Sequence, residues 1–305
     1  MINFRYHIVS LMAVFLALAV GITLGVSLVS GEANKGLEAQ AEQDRKQVAT
    51  YRNQITQMQQ LDRYRDAYAS QVGKQVTADM LLDVPVAIIA MPDAPRSVVN
   101  NVQQAVDDAG GIVASVTNVD SQAFEPSQRS QVMSVLQPFK NQYKPDDAQA
   151  VRVGKVLGRA LFTGHNGIID QTGSTIGDAL NGNLISLKRR TQAAASLAIV
   201  ITAPAANPPL NADALNRHVA FDLALSGAAR GTVVAGPNST EIDATDVATL
   251  RSEAGGRDVS SVDAADLPSG VTTAVMAGAE QLANGQGHYG WSSSSDAPAP
   301  ELPIK

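Results

Sequence analysis

Residues 8–29, IVSLMAVFLALAVGITLGVSLV, constrain the rest of the chain, because 22 consecutive residues carry no charge. A helix needs about 20 such residues, at ~1.5 Å each, to cross the ~30 Å hydrocarbon layer of a bilayer. Thirteen of them are Leu, Ile, Val or Phe. At roughly −0.3 to −0.6 kcal/mol apiece, these contribute about −4 to −8 kcal/mol towards insertion. Ser10, Thr23 and Ser27 take back little, since helical hydroxyls bond to carbonyls of the preceding turn. The run is longer than the about 7–15 apolar residues of a cleaved signal, and Ser27-Leu28-Val29-Ser30-Gly31 is a poor cleavage sequence. Residues 1–31 therefore read as a cytoplasmic tip and an uncleaved signal anchor. Arg5 precedes the span, and Lys35, Arg45 and Lys46 follow it, so charge alone gives a near tie. Long domains translocate largely regardless of charge. The expected orientation has the amino terminus inside and the rest outside, with the inner membrane favoured over the outer.

The anchor carries a second pattern. Ala13, Ala17, Gly21 and Gly25 recur every four residues and form one small-residue ridge, ending in a GxxxG. Beyond it, Leu37, Ala41, Val48, Tyr51, Ile55 and Met58 fall at alternating spacings of a heptad seam, with Asp44 the polar intruder. The phase slips after Met58, as an insertion or deletion in the repeat produces. Residues 32–80 hold no proline, and the flanking positions are rich in Gln, Glu, Lys and Arg. A helix of roughly 40 residues extends about 60 Å, too long to lie on one small domain. The expectation is a coiled coil continuous with the anchor, joining two copies as a parallel homodimer.

After Pro85 the period changes. Val86-Ala87-Ile88-Ile89-Ala90-Met91 is a continuous apolar run, as in a strand buried on both faces. A helix facing inward through Val98, Val99, Val102 and Val106 follows, with Ser97 as its expected cap. Gly110-Gly111 then leads into a strand over 112–116. This is a βαβ unit, which implies a parallel sheet. Helices over 127–136 and 148–161, a strand over 197–202, a helix over 212–226 and a strand over 232–235 continue the alternation. A short helix over 246–253, an edge strand over 259–262 and a helix over 271–282 complete it. The fold class is α/β: a doubly wound three-layer domain with a mainly parallel sheet over 81–290, followed by a disordered tail over 291–305.

Chemistry is sparse in this reading. The chain has no cysteine and a net charge of −6, which removes thiol chemistry and any basic nucleic-acid surface. The loops following the strands hold no glycine-rich phosphate turn and few ionisable groups, Asp93 among them, for which a turn role is the simpler reading. That argues against an enzyme. His218 and Asp222, four apart on one helix, read as an exposed ion pair. The glycine-rich segment 163–174 offers His165 and Asp170, and Gly287-His288-Tyr289-Gly290-Trp291 reads as a packing latch. His165 and His288 are the weak metal candidates, because the four histidines and seven methionines show no ligand spacing. No cofactor is evident.

The opening MINFRYHIVSLMAVFLALAVGITLG, a coiled coil and an α/β domain closing on GHYG together resemble the actinobacterial family named after the mycobacterial copper transporter MctB. The resemblance covers nearly the whole chain and implies a role in copper transport or copper homeostasis, with copper as the implied ion. A branch of similar layout, called SteB, implies instead a scaffold that couples a cytoplasmic partner, SteA, to a cell-wall hydrolase during cell separation. The residues themselves read as an anchored dimeric spacer displaying a non-catalytic domain. A small-ligand sensor using the sheet crevice is the remaining alternative.

Overall fold

The computed structural model describes residues 4–302, so the first three residues of the expected tip and the last three of the tail lie outside the described residues. The chain divides into two compact units, one up to Tyr64 and one from Arg65. Helix α1, Phe4–Val76, supplies the first and opens the second. Its length follows from a sequence without proline and rich in Ala, Leu and Gln, all good helix formers. Within it, Arg5–Val26 has a mean hydropathy of 2.5 and none of it is buried. Thr23 Oγ1 donates to the Ala19 carbonyl at 2.8 Å, so this hydroxyl is satisfied inside the helix as expected.

The second unit is built on a seven-stranded sheet. Its strands are β1 (Pro85–Ala90), β2 (Ile112–Val119), β5 (Ile185–Arg189), β6 (Leu197–Ile201), β7 (Gly231–Ala235), β8 (Ser260–Val262) and β9 (His288–Tyr289). The order is β5-β2-β1-β6-β7-β8-β9, all parallel except β5, which runs antiparallel to β2. Strands β3 (Gly164–His165) and β4 (Ile168–Ile169) form a separate small hairpin. Helices α2 (Arg96–Asp108) and α8 (Pro268–Leu282) cover one face of the sheet. Helices α3 (Arg129–Leu136), α4 (Gln149–Leu161), α5 (Gln171–Leu180), α6 (Ala212–Ser226) and α7 (Asp246–Ser252) cover the other.

The central strands read as continuous apolar runs because both faces are covered. In β1, Val86 and Ile88 enter one core with Val102, Val106 and Ala274, while Ala87 and Ile89 enter the other with Leu157, Phe221 and Leu225. Helices α4 and α6 lie close together, and Gly154 makes that possible: a Cβ there would sit 2.6 Å from the Phe221 carbonyl oxygen. Between the C-terminal ends of β1 and β6 the direction of winding reverses. One crossover leads from β1 through α2 to β2, and β6 is laid down on the opposite side of β1. In open α/β sheets that reversal is where a crevice forms.

Three expectations change. The connector expected over 32–80 gives way at Tyr64, because the last turns of α1 already belong to the α/β unit. There Gly73 lies against Thr272, and Lys74 pairs with Asp108 at 3.1 Å. Ser97 does not cap α2: Pro95 holds the cap position with extended φ and ψ, and the helix has begun at Arg96. The tail expected to be disordered is ordered over 291–302, with Ser292 buried and hydrogen-bonded to a buried carboxylate.

Candidate functional site: a histidine–aspartate crevice at the switch point

A cavity of about 370 Å³ opens at the reversal between β1 and β6. Its apolar walls come from Pro92, Phe124, Pro204, Leu210 and Leu215, and its polar groups from α6, the start of α7 and, at Asp93, Ser121 and Glu125, the loops after β1 and β2. Asn211 caps α6 by accepting a hydrogen bond from the Ala214 amide at 2.9 Å, which fixes the first turn at the crevice mouth. Two turns on, the same face presents His218. Thr245 caps α7 through the Ala248 amide at 3.2 Å and places Asp246 in the first turn. A carboxylate is stabilised there by the positive end of the helix dipole.

His218 Nδ1 lies 3.0 and 3.2 Å from the two Asp246 oxygens. Phe124 packs edge-on against the imidazole, ring centres 4.6 Å apart, and against Phe221 at 5.4 Å. With Asp246 as acceptor, Nδ1 carries a proton. Among the described residues Nε2 makes no hydrogen bond to protein, and the ring lines the cavity. Asp222, one turn further on, is wholly buried, and neither of its oxygens has a partner. Burial, and then the charge of Asp246, hold its carboxyl well above the usual carboxylate range. Arg217 also lines the crevice, with its Nε buried and unpartnered. Arg217 and Asp222 leave hydrogen-bonding capacity unused around this site.

The expected His218–Asp222 surface pair is therefore corrected: His218 is paired with Asp246, and Asp222 is wholly buried in the core with its pKa raised. The crevice is also better supplied with ionisable groups than the strand loops suggest, since α6 and α7 deliver them. Asp93 does take its expected turn geometry, with φ of 61°, and stands exposed at the rim.

A second polar cluster lies at the β8–β9 edge. Arg251 and Asp263, 3% and 2% exposed, form a buried ion pair at 2.9 Å. Asp263 further accepts from the Trp291 amide at 2.8 Å and from Ser292 Oγ at 2.6 Å. Arg251 also donates to Ser261 Oγ at 2.8 Å and to the Tyr289 carbonyl at 2.7 Å. Gly290, at φ of 138°, lets the chain pass here, because a Cβ would collide with the Asp263 carboxylate. His288 Nδ1 lies 3.0 Å from Ser261 Oγ, and burial, then Arg251, lower its pKa. The sequence GHYGW is a latch in this literal sense.

A family model described as "Copper transport outer membrane protein, MctB" matches residues 1–300. The chain belongs to that family. Copper transporter MctB of Mycobacterium tuberculosis (strain ATCC 25618 / H37Rv) is 28% identical over 310 residues, covering 95% of this chain and 96% of its own length. Copper transporter MctB of Mycobacterium leprae (strain TN) is 28% identical over 313 residues, with the same coverage. The MctB description is one of transport, not of an enzyme class, and with the apolar span of α1 it makes this a membrane protein.

Against the MctB assignment, the positions of the expected metal candidates are plain. His165 is exposed on the small hairpin, and Asp170 does not join it. Asp170 instead caps α5 through the Gly173 amide at 2.8 Å and pairs with Arg159 at 2.6 Å, which lowers its pKa. His288 is held in the latch. Among the described residues no group of three or more His, Asp or Glu is placed to hold a metal ion. The ridge of Ala13, Ala17, Gly21 and Gly25 is exposed on the apolar span, and Leu37, Ala41, Val48, Tyr51, Ile55 and Met58 are all exposed on α1.

Proposed function

We propose that the protein is a single-pass envelope protein serving copper transport or copper homeostasis. Its amino terminus lies inside, its α/β unit outside the cytoplasm, and it catalyses no reaction. The observation that supports this most is the match of the copper-transport family across residues 1–300, which takes in the anchor, the connector and the α/β unit together. One apolar helix per chain does not enclose a pore, since a channel wall in lipid needs several helices or a closed barrel. The protein therefore acts in copper passage as part of an assembly. The test is the copper content and copper tolerance of cells lacking the protein, with restoration by the intact chain. Unchanged content and tolerance overturn the reading. Titration of the purified chain with Cu(I) and Cu(II) then separates direct binding from an indirect role.

A second reading has its own support in the exposed seam. Val48, Tyr51, Ile55 and Met58 present an apolar stripe on a helix that continues from the anchor. A parallel homodimer would cover it by knobs-into-holes packing. In that reading the pair is a scaffold coupling a cytoplasmic SteA-like protein to a cell-wall hydrolase. The chain has no cysteine, so a single Ile55→Cys reports only on its own pairing. Oxidative cross-linking in membranes at that position, and not at Asn53→Cys, is the expected result. Equal cross-linking at both positions removes the seam.

A further inference from the structure

The crevice at the β1–β6 reversal holds features that copper passage does not use. Arg217 lines it, makes no hydrogen bond or ion pair with any described residue, and has its Nε buried without a partner. A guanidinium with no internal partner, reachable from the cavity, can meet an anion that enters. Next to it, His218 has Nδ1 committed to Asp246, leaving Nε2 on the cavity side of the ring for whatever enters. Phe124, Leu210 and Leu215 add an apolar stretch of wall, so a ligand that satisfied only Arg217 would leave that surface wet. At about 370 Å³ the space is at the small end of ligand pockets.

The charge arrangement narrows the class. Asp93 and Glu125 stand exposed at the rim and oppose a polyanion, and no glycine-rich turn offers a ring of amides to a phosphate. A single carboxylate meets one guanidinium in bidentate fashion without demanding more positive charge.

We propose that this crevice binds a small organic monocarboxylate with an apolar body, the carboxylate on Arg217 and the body between Phe124, Leu210 and Leu215. The proposal stands independently of copper. It makes the α/β unit a small-ligand sensor or carrier on the outer side of the anchor.

The test is isothermal titration of the full-length, detergent-solubilised protein. The probes are hydrocinnamate, isocaproate, phenylalanine, leucine, hydrocinnamyl alcohol and inorganic phosphate. Saturable binding of at least one carboxylate is expected, about tenfold or more tighter than the alcohol or phosphate, the worth of a charge-assisted hydrogen bond. The amino acids distinguish a free acid from a zwitterion, whose ammonium gains the acidic rim. Arg217→Gln lowers the affinity about tenfold or more. Ala206→Trp, at an exposed position on the mouth, abolishes binding without touching the core. No saturable binding by any of the four carboxylates overturns the proposal. So does phosphate bound as tightly as the carboxylates, or an affinity unchanged in both variants.

Discussion

Two charged clusters are buried at the carboxyl side of the same sheet, and they are finished to different degrees. At the β8–β9 edge, Asp263 is met by Arg251, the Ser292 hydroxyl and the Trp291 amide, so the carboxylate is surrounded by donors. At the crevice, Asp246 satisfies one nitrogen of His218, while Asp222 and Arg217 Nε have no partner at all. A buried polar group without a partner is a standing cost to the fold. A cluster with every group paired needs nothing from outside. One with spare donors and acceptors beside an open cavity is arranged for something else to enter.

Breaking the complete cluster has the largest effect. Arg251→Met leaves Asp263 buried without its counter-charge, and removing one partner of a buried pair costs about 3–5 kcal/mol. Thermal unfolding of the solubilised protein reads this as a lower transition temperature. Limited proteolysis reads it as cleavage within 291–302, because Arg251 and Asp263 help to hold the start of that segment. An unaltered melting profile together with a protected tail would show that the latch does not depend on the pair.

The incomplete cluster responds in the opposite direction. Asp222→Leu replaces an unpartnered carboxyl by an apolar side chain, and the expected outcome is a gain of about 1–3 kcal/mol, less any overpacking. Its pH dependence gives a sharper test. The native state keeps on Asp222 a proton that the unfolded chain releases near the ordinary value of ~3.9. The native state therefore binds more protons, and stability declines as pH rises from there towards the raised native pKa. In the Asp222→Leu variant this part of the decline is absent. Parallel pH profiles for the two proteins would place the proton elsewhere.

The smallest effect belongs to Trp291. Its side chain is 60% exposed and only its amide grips Asp263, so Trp291→Ala changes stability by less than ~0.5 kcal/mol in the same melting experiment. A larger loss would mean that the indole packs on the latch.

What could be read ahead of the structure followed the strength of periodic burial. Strands β1 and β6, apolar at every position, announced themselves, and so did α2 with its four valines. Strand β5 did not. ISLKR alternates covered and exposed residues at an edge, which a polar loop imitates. Helix α5, QTGSTIGDAL, carries two glycines, and its first five residues include four hydroxylated or amide side chains, a composition that favours turns over helices. The tail was misread for a related reason: its serines, alanines and prolines show no periodic apolar pattern, and what holds it is the distant Asp263 carboxylate and backbone bonds to β9. The crevice was hidden because its polar groups lie on helices α6 and α7, whereas strand-end loops are where such groups are usually sought. The one local sign was a histidine and an aspartate a single turn apart on α6, and their true partnerships could not be seen from that spacing.

The latch has a consequence for how copies of this chain meet. The residues after Gly290 turn back on β9: the Gly290 amide bonds to the Ala297 carbonyl at 3.0 Å, and the Asp296 amide to the His288 carbonyl at 2.7 Å. The backbone groups that an outer strand would offer to a stranger are thus occupied by the chain's own end. A chain cut short at Gly290 would present an open strand edge beside a hydrophobic core. Loss of those few residues would turn this covered edge into a template for strand addition.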